Sequence, residues 1–99
     1  MDNLIIDLDR NQETLTVKLK GRLESATSPQ LEEALELEGI KDLRMDFAGL
    51  EYLSSAGLRV LLAVSKTMKK QGTMEISNVN EEVMEVFIIT GFAGILTIL

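Results

Sequence analysis

The run Thr14–Lys20 alternates apolar and polar side chains without a break, and this alternation constrains the fold more than any other feature. One face of an extended strand receives Leu15, Val17 and Leu19, and the other receives hydroxyl and lysine side chains. Such a strand needs a core on one side only. A second apolar run, Leu4–Leu8, precedes it across a polar turn. The sequence therefore predicts a β-hairpin with one face in water.

The rest of the chain alternates helical and extended patterns. Gly21 is predicted to end the second strand, and Thr27-Ser28-Pro29 to begin a helix with a hydroxyl cap and a proline in its first turn. Gly39 is predicted to stop that helix. The further elements are predicted as a strand over Leu43–Phe47, a loop over 48–52, a helix that begins after Ser55 and runs to about Lys70, a strand over Met74–Ile76, a helix capped by Asn80 and broken by Gly91, and a last strand or shortened tail over Ile95–Leu99.

This order, β-β-α-β-α-β-α-β, predicts an α/β fold with a mixed β-sheet packed by helices. The chain of 99 residues is long enough to bury one core, and no repeat, linker or low-complexity stretch divides it. We expect one domain over residues 1–99.

The composition excludes several function classes. No cysteine or histidine is present, so thiolate chemistry and Ser-His-Asp catalysis are unavailable. A net charge of −6 argues against nucleic acid as a partner. The longest apolar stretch, Val83–Leu99, is interrupted by Glu85 and two glycines, and Met1-Asp2-Asn3 is no basic leader. We expect a cytoplasmic protein that is not an enzyme, needs no cofactor or metal and does not insert into membranes.

The adjacent serines Ser54 and Ser55 are the best candidates for chemistry. They stand where the predicted helix begins, so one reading is helix capping by a hydroxyl. The other reading is phosphorylation, since a phosphate there would meet free N–H groups and the positive end of the helix dipole. No Glu or Gln follows three residues after either serine, so a capping box does not explain the pair. One hydroxyl suffices to cap, which leaves the second for a kinase.

Three stretches together resemble the STAS family, the sulfate transporter and anti-sigma factor antagonist domain. They are Gly21-Arg22-Leu23-Glu24 with Thr27 after it, Met45-Asp46-Phe47 with Tyr52-Leu53 after it, and Ser54-Ser55-Ala56-Gly57-Leu58. The resemblance spans essentially the whole chain and is nearest to the small stand-alone bacterial anti-sigma factor antagonists. It implies a STAS-like fold, with the usual C-terminal helix of the family missing or truncated after Leu99.

The resemblance also implies a function. Aligning on Gly57-Leu58 puts Ser55 at the family's phosphoacceptor serine, with Ser54 in place of the usual aspartate and Ala56 in place of the second serine. The unphosphorylated protein would then bind an anti-sigma factor that is a serine kinase and so free the sigma factor. Phosphorylation of Ser55 by that kinase would switch binding off, and a metal-dependent serine phosphatase would restore it.

A partner-binding surface around Ser55 is the further implication. Its expected residues are Glu24, Ser25, Thr27, Asp46, Ser54, Ala56, Gly57 and Arg59. Arg59, four residues after Ser55, is either a partner for the phosphate or an ordinary solvated arginine. Asp46 either accepts N–H groups of the serine loop or simply ends a strand, and Thr27 has turn and cap chemistry as its other reading.

The replacements at Ser54 and Ala56 motivate an alternative function. Stand-alone STAS proteins also resemble constitutive subunits of lipid-transport ATPase assemblies and of stress-signalling complexes. An enzyme is the third class, but the sequence contains no evident nucleophile–base pair or metal cluster. An exposed edge at Ile95–Leu99 would be adhesive, so we expect a monomer or a weak dimer.

Overall fold

The computed structural model describes residues 3–99. Its strands form one five-stranded sheet in the order β1-β2-β3-β4-β5. The elements are β1 (Leu4–Asn11), β2 (Thr14–Leu23), α1 (Ser28–Ala34), β3 (Asp42–Leu53), α2 (Ser55–Lys69), β4 (Thr73–Ser77), α3 (Glu81–Thr90), a 3₁₀ turn (Phe92–Gly94) and β5 (Thr97–Ile98). The predicted α/β class and the predicted order of strands and helices are confirmed.

The sheet has one covered face and one open face. Strand β1 is antiparallel to β2, and each later strand is parallel to its neighbour. Because the three crossovers step across the sheet in one direction, right-handed connections place all three helices on the same face. The rung Val17–Met45–Ile76 faces the helices and is buried, whereas the next rung, Lys18–Asp46–Ser77, is polar and faces away. The hairpin therefore has the predicted open face.

The core lies between the sheet and the helices. Phe47 of β3 and Phe87 of α3 are fully buried, with ring centroids 6.4 Å apart. Met45 and Met68 are buried with them, as expected for flexible core filler. Within residues 3–99, every buried side-chain nitrogen or oxygen atom has a hydrogen-bond partner.

Helix α1 ends five residues before the predicted stop at Gly39. Its last residue is Ala34, and Leu35 adopts an extended backbone. The chain leaves the helix early because Ile40 is fully buried, which draws the connection back to the core. The Gln71 side chain donates hydrogen bonds of 2.6 and 2.7 Å to the carbonyls of Leu37 and Ile40. The connection thus finds its backbone partners on a distant segment, which local sequence could not reveal.

Strand β3 is longer than predicted, because the expected loop over 48–52 is extended chain. Strand β2 continues past Gly21 to Leu23 and offers β3 a pairing partner over the same length. The register shifts twice along this pair, first between Lys18 and Lys20 and again between Gly21 and Arg22. Each shift gives β3 one extra residue, which is the signature of a bulge.

Most of the remaining boundaries confirm the sequence predictions. Asn80 caps α3 by accepting a 2.8 Å hydrogen bond from the Val83 N–H, and Gly91 ends the helix in a left-handed conformation. The tail expected as a strand over Ile95–Leu99 pairs only at Thr97 and Ile98. In the described part of the chain, no helix is long and apolar enough to cross a membrane.

Candidate functional site

The candidate site lies at one end of the sheet, the site edge, where the parallel strands β2 and β3 finish side by side at their C-terminal residues. Leu23 stands opposite Leu53 in the register. The N–H of Ser54 donates a 3.0 Å hydrogen bond to the carbonyl of Leu23. The loop 24–27 and the serine pair, which are about 30 residues apart in sequence, are thereby brought together. This is the juxtaposition that the resemblance predicted for the two segments.

The two serines have different structural roles. Ser54 is the N-cap of α2, with an extended backbone, and its half-buried Oγ accepts a 3.4 Å hydrogen bond from the Gly57 N–H. Ser55 is the first helical residue; its side chain is exposed and makes no hydrogen bond within residues 3–99. The cap is therefore provided by Ser54 alone, and the Ser55 hydroxyl is accessible to another protein.

The start of α2 suits a negative charge. The helix is 15 residues long, and its first turn contains no acidic residue. The first N–H groups of a helix have no partner inside it, and the dipole is positive at this end. A phosphate on Ser55 is compatible with this helix start, so phosphorylation need not unfold the protein.

Gly57 allows α2 to begin directly against the strand ends. A Cβ atom at this buried position would come within 2.8 Å of Leu23 Cγ and Leu53 Cδ1, and within 2.9 Å of the Leu23 carbonyl oxygen. Any larger residue would push the helix start, with Ser54 and Ser55, away from β2. Gly57 therefore acts through packing, and its N–H donates the capping hydrogen bond to Ser54 Oγ.

Thr27 organises the loop between β2 and α1 from inside. Its buried Oγ1 donates a 2.7 Å hydrogen bond to the Arg22 carbonyl and accepts a 3.0 Å bond from the Glu24 N–H. The predicted capping bond from this hydroxyl to α1 is absent among the described residues, so the prediction of a hydroxyl cap was wrong. The buried Ser28 Oγ donates a 2.6 Å hydrogen bond to the Glu24 carbonyl. These bonds fix the loop and leave Ser25 exposed.

A shallow groove separates the starts of α1 and α2 beside the serine pair. Its lining includes Ser25, Glu32, Ala56 and Arg59. Arg59 is exposed and lies about one helical turn after Ser55. The pairing of Arg59 with a phosphate stays a prediction.

The expectation that Asp46 accepts N–H groups of the loop leading to the serines is met at one residue of that segment, Ala48, but Asp46 itself is not part of this edge. It lies on the open face within β3 and accepts hydrogen bonds of 2.9 Å from the Asn78 side chain and from the Ala48 N–H. These bonds lower the pKa of the Asp46 carboxyl, Asn78 contributing most, then Ala48, with a smaller contribution from nearby Lys18. Asp46 therefore holds the backbone of the β3 bulge in place and does not contact the serines. The strand-end reading fails, since β3 continues to Leu53.

We expect Asp46→Asn to destabilise the fold by about 1 kcal/mol at pH 7, because the charged acceptor of two hydrogen bonds is lost. The folded pKa lies below the ordinary value of 3.8, so the carboxylate stabilises the fold above that value. This contribution is lost as the pH falls through the folded pKa. Urea unfolding of both proteins at several pH values, with Asp9→Asn as a charge-matched control, measures the difference. A gap between Asp46→Asn and wild type that persists unchanged in acid would contradict this account.

Sequence reasoning missed one pair at the site edge. Arg22 of β2 stands opposite Tyr52 of β3, and its guanidinium carbon lies 4.2 Å from the centre of the tyrosine ring. The same guanidinium makes a 3.0 Å ion pair with Glu24. Only the shifted register brings the two residues together, although an aromatic residue just before the serines was a visible signal.

Comparison with known proteins finds a matching family model and relatives named as anti-sigma factor antagonists. A family model described as "Mlab, STAS domain" matches residues 6–98. The anti-sigma-B factor antagonist of Bacillus subtilis is 31% identical over 99 residues, covering 97% of this chain and 91% of that protein. The putative anti-sigma factor antagonist BtrV of Bordetella bronchiseptica is 36% identical over 94 residues, covering 91% and 81%.

Solved structures show the same fold. An anti-sigma factor antagonist from Mycobacterium paratuberculosis superposes with a TM-score of 0.87 at 20% identity, covering 98% of this chain and 86% of that one. The Bacillus cell fate determinant SpoIIAA in its phosphorylated form superposes with a TM-score of 0.73 at 18% identity, covering 96% and 91%. These superpositions show the fold of this chain.

Proposed function

The chain belongs to the STAS domain family, and from that premise we propose that it is an anti-sigma factor antagonist controlled by phosphorylation of Ser55. The curated relatives described above are named as anti-sigma factor antagonists. The unphosphorylated protein binds a serine-kinase anti-sigma factor and so releases a sigma factor. A metal-dependent serine phosphatase returns the phosphorylated protein to the binding form.

The observation that supports this proposal is that the two serines differ in structural role: Ser54 caps α2, whereas the Ser55 hydroxyl is exposed. Ser54 provides the cap that α2 needs, and the neighbouring Ser55 hydroxyl makes no hydrogen bond to any residue of the described range 3–99. Ser55 is exposed at the edge formed by the ends of β2 and β3, where a partner can reach it. A serine at this position is thus available to a kinase without any local unfolding.

The structure suggests why phosphorylation would act on binding rather than on folding. The added charge is about −1.5 to −2 at pH 7, and it stands at the favourable end of the α2 dipole. The folded protein tolerates that charge, but a partner surface complementary to a neutral hydroxyl does not. The energetic penalty therefore falls on the complex.

The test is phosphorylation of the purified protein by the serine-kinase anti-sigma factor of its own source organism. We expect tandem mass spectrometry after incubation with ATP to place a single phosphate on Ser55, and none on the Ser55→Ala variant. The matched control is Ser54→Ala, which should still be phosphorylated although it loses a cap that stabilises the fold by about 1 kcal/mol. A phosphate on Ser54 or Ser25 instead, or none with a demonstrably active kinase, would refute the proposal.

The alternative is a constitutive subunit of a lipid-transport ATPase or of a stress-signalling complex. The replacements at Ser54 and Ala56 are what motivate it. Co-purification with a transporter ATPase, insensitive to ATP and to Ser55→Ala, would support this reading. The names of the relatives, which are anti-sigma factor antagonists, support the proposed antagonist function instead.

A further inference from the structure

We propose that Tyr52, stacked against Arg22, is a direct contact of the anti-sigma factor, so that the binding surface continues from Ser55 onto the open face of the sheet. This inference rests on the proposed function. It adds two residues that neither the sequence patterns nor the resemblance assigned to the partner surface.

The position of Tyr52 is not explained by the core. The neighbouring rung, Leu23 opposite Leu53, is 0% and 3% exposed and faces the helices. The rung of Arg22 and Tyr52 points the other way, and Tyr52 is 41% exposed. A large aromatic side chain is therefore held at the surface, at the edge of the sheet that also carries Ser55.

The pair is prearranged for binding. The Arg22 guanidinium covers one side of the Tyr52 ring at 4.2 Å, and its ion pair with Glu24 at 3.0 Å holds it there. Both residues lie on paired strands rather than on a mobile loop. Side chains that are already ordered lose little conformational entropy when a partner binds. Tyrosine and arginine are also the residues that most often dominate interface energetics.

Tyr52 is close enough to Ser55 for one partner protein, the anti-sigma factor, to contact both residues. An interface of standard size buries about 800 Å² on each partner, which corresponds to a patch of roughly 16 Å radius. Tyr52 lies three residues before Ser55, and three extended residues span at most about 11 Å. A partner centred on Ser55 therefore reaches Tyr52. Glu24 connects the two parts of the surface, because it pairs with Arg22 and belongs to the loop beside the serines.

The chain contains a single tyrosine, which allows a direct test. Protein labelled with 3-fluorotyrosine gives one ¹⁹F resonance, and we expect it to shift or broaden as the serine-kinase anti-sigma factor is added, saturating with the Kd measured by calorimetry. Calorimetric binding with an unchanged resonance would overturn this inference while leaving the proposed function intact. Absence of any calorimetric binding would overturn the proposed function and this inference with it.

Substitutions give the energetic counterpart. We expect Tyr52→Ala to weaken binding at least tenfold and Tyr52→Phe to stay within about threefold, because the ring rather than the hydroxyl provides the contact area. Ile89→Ala is the control, since Ile89 is 75% exposed on α3 and is not part of this edge. Urea unfolding of each variant separates loss of contact from loss of fold. Binding of a folded Tyr52→Ala variant within twofold of wild type would also overturn the inference.

Discussion

Ser55→Asp is expected to weaken binding of the serine-kinase anti-sigma factor by at least about thirtyfold, or about 2 kcal/mol, while leaving the fold as stable as wild type or slightly more so. The two effects have opposite signs for one reason. A carboxylate at the first position of α2 interacts favourably with the helix dipole, by about 0.3–1 kcal/mol. The same carboxylate, covered by a partner without a matching cation, must lose its water.

Calorimetric titration measures the change in binding, and urea unfolding of the same samples measures the change in stability. Ser55→Ala should bind within about threefold of wild type, because the residue makes no hydrogen bond within the described chain. Asn11→Asp adds the same charge at the hairpin, at the opposite end of β2, and should bind normally. Equal weakening by Asn11→Asp would show that net charge, rather than the position of Ser55, controls binding.

Gly72→Ala is expected to destabilise the fold by about 3 kcal/mol. A Cβ atom at Gly72 would lie 1.9 Å from the Lys41 carbonyl oxygen and 2.6 Å from its carbon. That carbonyl cannot retreat easily, since it accepts the Thr73 N–H at 2.9 Å. The Lys41 N–H is itself held by the Glu13 carbonyl at 2.8 Å. Both the connection into β3 and the connection into β4 would have to shift.

Urea unfolding followed by circular dichroism measures this loss, and the melting temperature should fall by roughly 12 °C or more. The control is Gly94→Ala, because a Cβ at Gly94 meets no atom of residues 3–99 within 4 Å, and the stability of this variant should change by no more than about 0.5 kcal/mol. If Gly72→Ala were as stable as Gly94→Ala, the close packing of this turn against Lys41 would be wrong.

Much of the candidate site could be predicted because it depends on local chemistry. A serine pair before an apolar-periodic helix is a helix start in almost any context, and the alternation of Thr14–Lys20 defines a one-sided strand. The sequence left open which of Ser54 and Ser55 caps the helix, since either hydroxyl could do so. Only the backbone path into α2, extended at Ser54 and helical from Ser55, decided it.

Asp46 and Tyr52 show where prediction from sequence ends. Both lie on β3, and their roles depend on a register that shifts twice against β2. One shift lets Asp46 hold the Ala48 N–H on the open face, and the other sets Tyr52 beside Arg22. Bulges of this kind result from pairing between distant segments, so they leave no periodic signal in either strand alone.

The sequence by itself determined the order of strands and helices, the polar face of the hairpin and the helix start that carries the serines. These follow from side-chain periodicity and capping, which act within a few residues. The tertiary structure alone decided where α1 ends, how far β3 extends and which side chains meet at the edge of the sheet. Those features depend on Ile40 entering the core, on Gln71 satisfying distant carbonyls and on β2 offering its full length for pairing. Such contacts join residues far apart in sequence, and their energies exist only once the chain has folded.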